Sequence, residues 1–275
     1  MGESDIMTEQ EILMYQILGK ISTTNAPIVF KGALVTKLVL QEQGYKGIER
    51  ATTDIDANWI GTPPTSSELM ETINQSLSDF QGKFYAKAER EYSDTQTAGV
   101  TIFERESGDK LIKMDIDIKD VLGYKNYYYG EFTIRGVLID EILADKISVL
   151  SSSRVFRRAK DVVDVYALSK CTKVNALKIK DSCNQRGHIL GDFDGFKGQK
   201  EQLEHAYNKL KRITGKPPFI DVYSHLMKFL QPFMDRQIKD LSWNQTKSEW
   251  SNSQPTTNLN NRQNGLELDN EMEFI

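Results

Sequence analysis

Two alternating pairs of aspartates carry the strongest chemical signal in this chain, Asp54 and Asp56 in the run D-I-D and Asp115 and Asp117 in K-M-D-I-D. Successive side chains of a strand point to opposite faces, so each pair presents two carboxylates to one side, with Ile55 behind the first and Met114 and Ile116 behind the second. Carboxylates this close repel unless a proton or a divalent cation sits between them, and hard oxygen ligands suit Mg²⁺. The expected chemistry is phosphoryl transfer: Asp54 and Asp56 grip the metal, while one acid of the second pair completes the site and helps deprotonate an attacking hydroxyl. Asp115 is preferred for that part, although spacing alone does not separate it from Asp117.

The segments around these acids read as elements that would bring a phosphate to them. PIVFKG, residues 27–32, reads as a short buried strand that turns at Gly32 into the helix GALVTKLVLQEQ. Glycine at such a junction lets a phosphate approach the backbone, and the helix N-terminus offers unpaired N–H donors. Arg50, Thr52 and Thr53 lie just before the acidic pair. Thr8 and Glu11 form a capping-box signature for an opening helix, and Ser66 or Ser67 is placed to cap ELMETINQSLSDF. GVTIFERE and KLIKMDIDIK predict a hairpin, NYYYGEFTIRG predicts one further strand, and after Gly136 the apolar spacing turns helical. The fold class is therefore α+β: a mixed sheet flanked by helices over residues 1–136 and a helical bundle over 137–242. From Trp243 the chain is rich in Ser, Asn, Gln and Thr, so residues 243–275 are expected to be a flexible polar tail whose last residues, LELDNEMEFI, retain apolar side chains able to dock.

Composition narrows the class further. No run among the 275 residues approaches the roughly 18 to 20 apolar residues of a membrane span, and the acidic start MGESDIMTEQ lacks the pattern of a secretory signal, so a cytoplasmic location is expected. Cys171 and Cys183 have no zinc-site spacing and read as reduced thiols. A net charge of −4 argues against wholesale wrapping of nucleic acid, yet RVFRRAK offers Arg154, Arg157 and Arg158 to an RNA backbone. His188, His205 and His225 form no close sequence cluster and receive no metal or acid–base role.

A strand-glycine-helix followed by D-x-D and a later strand acid resembles the DNA polymerase β-like nucleotidyltransferase superfamily over residues 27–118. More narrowly, VFKGALVTKLVL, RATTDIDANW, KMDI, EILADKISVL and AKDVVDVYAL, in this order, resemble the AbiEii/AbiGii abortive-infection toxin nucleotidyltransferases. The resemblance implies an N-terminal nucleotidyltransferase fold, a toxin-antitoxin setting in phage defence, and transfer of a nucleotide from a nucleoside triphosphate to RNA, with tRNA 3′ ends as the acceptor type. It also implies a cognate antitoxin as partner. Carried onto this chain, the metal-binding acids fall on Asp54, Asp56 and Asp115, the helical lysine on Lys146 and the late acid on Asp161. Lys31, Gly32, Thr36, Lys37, Arg50, Thr53 and Asp164 are the expected substrate-binding residues. Lys146 would offset triphosphate charge that metal leaves uncancelled; Asp164, four after Lys160, is in register for an ion pair along its own helix. Where the family often has two glycines, this chain has Gly32 and Ala33, which predicts a less close approach to phosphate. A small molecule or a protein hydroxyl as acceptor, and a module that binds nucleotide or a partner without catalysis, are the alternatives.

Overall fold

The D-I-D run opens a strand, as its alternation predicts, and the sheet around that strand organises the molecule. The computed structural model describes residues 9–52, 54–90, 97–236 and 238–253, with the backbone alone for Gln10, Asp54 and Arg90. Strands β1 (Ile28–Lys31), β3 (Asp54–Trp59), β4 (Phe84–Arg90), β5 (Thr97–Glu104), β6 (Lys110–Ile118), β7 (Tyr124–Tyr129) and β8 (Phe132–Val137) form a seven-stranded mixed sheet in the order β4-β5-β6-β3-β1-β8-β7. At its centre β3 runs parallel to β6 and antiparallel to β1, which runs parallel to β8. The short β2 (Glu49–Arg50) pairs with β9 (Ile213–Thr214), tying the acidic half of the chain to the helical half.

Helices α1 (Glu9–Thr23), α2 (Gly32–Glu42) and α3 (Ser66–Ser76) flank the sheet. After it come α4 (Ile139–Leu150), α5 (Ala159–Cys171), α6 (Ala176–Gln185), α7 (Asp194–Gly198), α8 (Lys200–Lys209), α9 (Phe219–Phe229) and α10 (Gln231–Met234), so the molecule is α+β as expected. Helix α5 is buried on every side through Ser169 except at Lys160, because it packs against α2, α4, α8 and α9 at once. Its two aspartates, Asp161 and Asp164, are therefore buried among valines and must find cationic partners.

Three local expectations are corrected, and one strand without an expectation is added. The cap of α3 is Thr65, whose hydroxyl accepts from Glu68 N–H while the Glu68 side chain accepts from Thr65 N–H. NYYYGEFTIRG is a hairpin, not one strand, because Gly130 at φ +58 takes the left-handed turn between β7 and β8. FYAKAER, unassigned from sequence, is edge strand β4; among its described side chains only Phe84 and Ala86 are buried. The tail expected from Trp243 begins instead as a hairpin of β10 (Leu241–Asn244) and β11 (Glu249–Asn252). Trp243 and Trp250 are cross-strand partners with ring centroids 5.2 Å apart, and their indole N–H groups donate to Ser169 O and Phe229 O. Two tryptophans suffice to dock a hairpin whose average composition is polar. Thr8, Thr53 and LELDNEMEFI lie outside the described residues. No helix among the described residues is long and apolar enough to cross a membrane.

Candidate active site

The sheet register sets a row of charge across three neighbouring strands: Lys31 on β1 faces Asp56 on β3, and Asp56 faces Asp115 on β6. Ile55, Met114 and Ile116 are buried on the opposite face, which leaves the acids no alternative direction. Burial pushes the Asp56 carboxyl above the usual carboxylate range; the Lys31 charge opposes the shift and the Asp115 charge adds to it. A carboxylate raised by burial and a like-charged neighbour is one that a cation would relieve. Asp117 is in a different state, since hydrogen bonds from Lys31 Nζ at 2.6 Å and Thr97 Oγ1 at 2.5 Å outweigh its burial and hold it below the usual range. Its carboxylate is held by Lys31 and Thr97, and Asp115 lines the cavity beside Asp56.

Gly32 fits under this row for a reason the sequence alone does not reveal. Its φ is +66, and a β-carbon there would lie 2.5 Å from Asp56 Oδ2. The glycine therefore makes room for the carboxylate itself, as well as starting α2 with no side-chain cap and no acid in its first turn. Gly32 and Ala33 of that turn border the same cavity as Asp56 and Asp115, and the N–H groups of a first turn, which have no partner within their helix, suit an anion.

The cavity encloses about 550 Å³. Among the described residues seven basic side chains line it (Lys31, Arg50, Lys113, Lys146, Arg157, Arg158 and Lys160) against four carboxylates (Asp56, Asp115, Asp145 and Asp161). An acidic protein thus concentrates positive charge at one hollow, which is what a polyanionic ligand requires.

The wall itself carries an ion cluster contributed by β2, α4 and α5 together with Arg158 just before α5, buried except at Arg158. Arg50 donates from Nε and Nη2 to both oxygens of Asp164, at 2.7 and 2.8 Å. Lys146 Nζ donates to Asp164 Oδ2 at 2.6 Å and to Asp161 Oδ1 at 3.2 Å, and Arg158 Nε reaches Asp161 Oδ2 at 2.9 Å. Burial alone would raise Asp164, but Lys146 and Arg50 hold it below the usual range; burial would lower Lys146, and Asp164 with Asp161 raises it instead. Lys146 is thus a charged ammonium although only 6% exposed. Three cations share two carboxylates, so one unit of positive charge remains to act on the cavity.

The cavity brings together Lys31, Gly32, Arg50, Asp56, Asp115, Lys146 and Asp161 of the residues singled out from sequence. Asp164 stands behind it with both oxygens occupied by Arg50 and Lys146, which replaces the expected pair with Lys160 along the helix. Thr36 is 3% exposed and its hydroxyl donates back to Gly32 O, while Lys37 bridges Glu11 and Glu49 in a separate hollow. These two are not brought to the acids. The backbone of Asp54 pairs with Lys113 beside the site; its side chain, like Thr53, lies outside what the structure describes. Sequence reasoning missed Lys113, two positions before Asp115 on the same strand face, and Asp145, next to Lys146.

Residues 16–257 match the family described as nucleotidyl transferase AbiEii toxin, Type IV TA system. The chain belongs to this family. It is accordingly a nucleotidyltransferase, a toxin of the type IV toxin-antitoxin class. Among solved structures it is similar to MenT4, a nucleotidyltransferase toxin from Mycobacterium tuberculosis H37Rv, at 14% identity and TM-score 0.44, over 83% of this chain and 91% of that one. It is also similar to an antigenic nucleotidyltransferase-like protein from Paracoccidioides brasiliensis, at 12% identity and TM-score 0.42, over 73% of this chain and 92% of that one. No curated protein matches it.

Among the described residues no three His, Cys, Asp or Glu side chains stand together as a complete metal cage. Asp56 and Asp115 are instead a pair of hard oxygen donors. That fits a Mg²⁺-type ion, which takes one or two carboxylates and completes its shell with water and substrate phosphate.

Proposed function

We propose that this AbiEii-family chain transfers a nucleoside monophosphate from a nucleoside triphosphate to an RNA acceptor, the 3′ end of tRNA, in a Mg²⁺-dependent reaction in the cytoplasm that a cognate antitoxin restrains. The observation that carries the reading is the register pairing of Asp56 with Asp115 in a cationic hollow bordered by the uncapped start of α2.

Asp56 and Asp115, with Asp54 by resemblance, would hold the ion, which supplies charge neutralisation at the α-phosphate when bound. The first N–H groups of α2 hold the phosphates, with Lys31 and Lys113 beside them. The acceptor hydroxyl oxygen attacks the α-phosphorus, Asp115 takes its proton, and the bond to the bridging oxygen breaks to release pyrophosphate. Lys146, braced by Asp161 and Asp164, offsets the charge that develops on that leaving group. Arg157, Arg158 and Lys160, at the rim, meet the acceptor backbone.

The test incubates the protein with each labelled nucleoside triphosphate, Mg²⁺ and total RNA. Label entering RNA supports the reading. Label in a product that migrates with neither RNA nor protein assigns a small-molecule acceptor, label on protein assigns a protein hydroxyl, and triphosphate binding without transfer to any acceptor returns the chain to a binding module.

A further inference from the structure

Asp145 follows a different logic from the other acids of the cavity. It sits on α4 immediately before Lys146, lines the same hollow, and has a side chain 35% exposed. One of its oxygens, Oδ1, accepts both Arg186 Nε at 3.0 Å and His188 Nε2 at 2.6 Å. Arg186 is itself held by the buried Glu141, which in turn accepts from Leu122 N–H, and its side chain is only 6% exposed. A buried arginine, a buried glutamate and a histidine thus brace one carboxylate whose second oxygen, Oδ2, has no partner among the described residues. Bracing of this kind fixes an acceptor in direction and position, which is what recognition by a single hydrogen bond demands.

Such an acceptor is wrong for phosphate, which it would repel. In a nucleoside triphosphate the hydrogen-bond donors are the sugar hydroxyls and the N–H groups of the base. We propose that Asp145 is the nucleoside-reading residue of this site, its Oδ2 accepting a hydroxyl or amino donor of the bound nucleotide while Arg186 and His188 hold it in place. This rests on the nucleotidyl-transfer reading. It adds the polarity of the hollow, with phosphates toward Asp56 and the nucleoside toward Asp145.

Equilibrium binding of the full chain to inorganic tripolyphosphate, the four ribonucleoside triphosphates and their 2′-deoxy counterparts separates the two readings. Wild type that binds none of them defeats the nucleotidyl-transfer reading itself. If wild type binds, Asp145→Asn should weaken the preferred nucleotide about tenfold or more, the worth of one hydrogen bond to a charged group, and leave tripolyphosphate within about twofold. His188→Ala, which loosens the brace without touching the ligand, should give a smaller loss of the same selective kind. Loss of discrimination between ribose and deoxyribose assigns the donor to the sugar; loss of discrimination among bases assigns it to an amino group. Equal weakening of nucleotide and tripolyphosphate, or no weakening of either, in a variant whose thermal midpoint matches wild type would overturn the proposal.

Discussion

The backbone of Gly32 passes beneath the Asp56 carboxylate so closely that a β-carbon there would meet Oδ2 at 2.5 Å. One residue thereby sets the entry of α2 and the position of the central acid. Gly32→Ala is expected to lose about 1–3 kcal/mol of stability from a left-handed backbone and the clash together, and to lose nucleotide transfer because Asp56 must move. Urea denaturation alongside the transfer assay reads both; a variant as stable and active as wild type would show that the contact does not matter.

Asp164 is 3% exposed between Arg50 and Lys146. Removing it takes from Arg50 the carboxylate that binds it through two nitrogens and leaves the buried Lys146 with Asp161 alone, so Asp164→Ala should cost about 3–5 kcal/mol. Lys160→Ala should change stability by less than about 0.5 kcal/mol, since Lys160 is exposed and makes no pair with Asp164. Chemical denaturation of the two variants compares them directly; equal losses would restore the pair along the helix.

His225 is buried against Trp243 and Tyr166, and its ring nitrogen shares a hydrogen bond with Ser169 Oγ at 2.8 Å. Burial first, then Lys170 and Lys228, pushes its pKa down to about 4. Between pH 6.5 and 4 the unfolded chain binds a proton that the folded chain refuses, so stability is fully present above pH 6.5 and falls with acidification. The slope from this group is at most about 1.4 kcal/mol per pH unit. His225→Gln should flatten the decline relative to wild type across that window; parallel curves would contradict the assignment.

Trp243 is 1% exposed and anchors the β10–β11 hairpin to α5 through its bond to Ser169 O. Trp243→Ala should cost about 3–5 kcal/mol in thermal or chemical denaturation. A loss below about 1 kcal/mol would mean that the hairpin contributes little to the fold.

The reactive face was legible in the sequence where the signal is local. D-I-D and M-D-I-D announce their faces by period two, and the glycine after Lys31 marks the junction of strand and helix. What escaped depends on contacts between distant segments. Arg50 and Asp164 are 114 positions apart, so the helical spacing of Lys160 offered a closer but wrong partner. Asp145 was silent because Arg186 and His188, which orient it, lie just beyond the end of α6, more than forty positions away. The β10–β11 hairpin was hidden by averaging: Trp243 and Trp250 do the docking while the residues between them are polar.

Asp56 and Asp115 are proposed to serve metal-dependent transfer from a nucleoside triphosphate together. The most direct test of that role is label transfer to total RNA by wild type, Asp56→Asn and Asp115→Asn, each shown to be folded by circular dichroism, with Mg²⁺, with EDTA, and with Mg²⁺ restored. Wild type should work only when Mg²⁺ is present, and both variants should stay inactive throughout. Transfer by wild type in EDTA, or by either variant at the wild-type rate, would contradict that role.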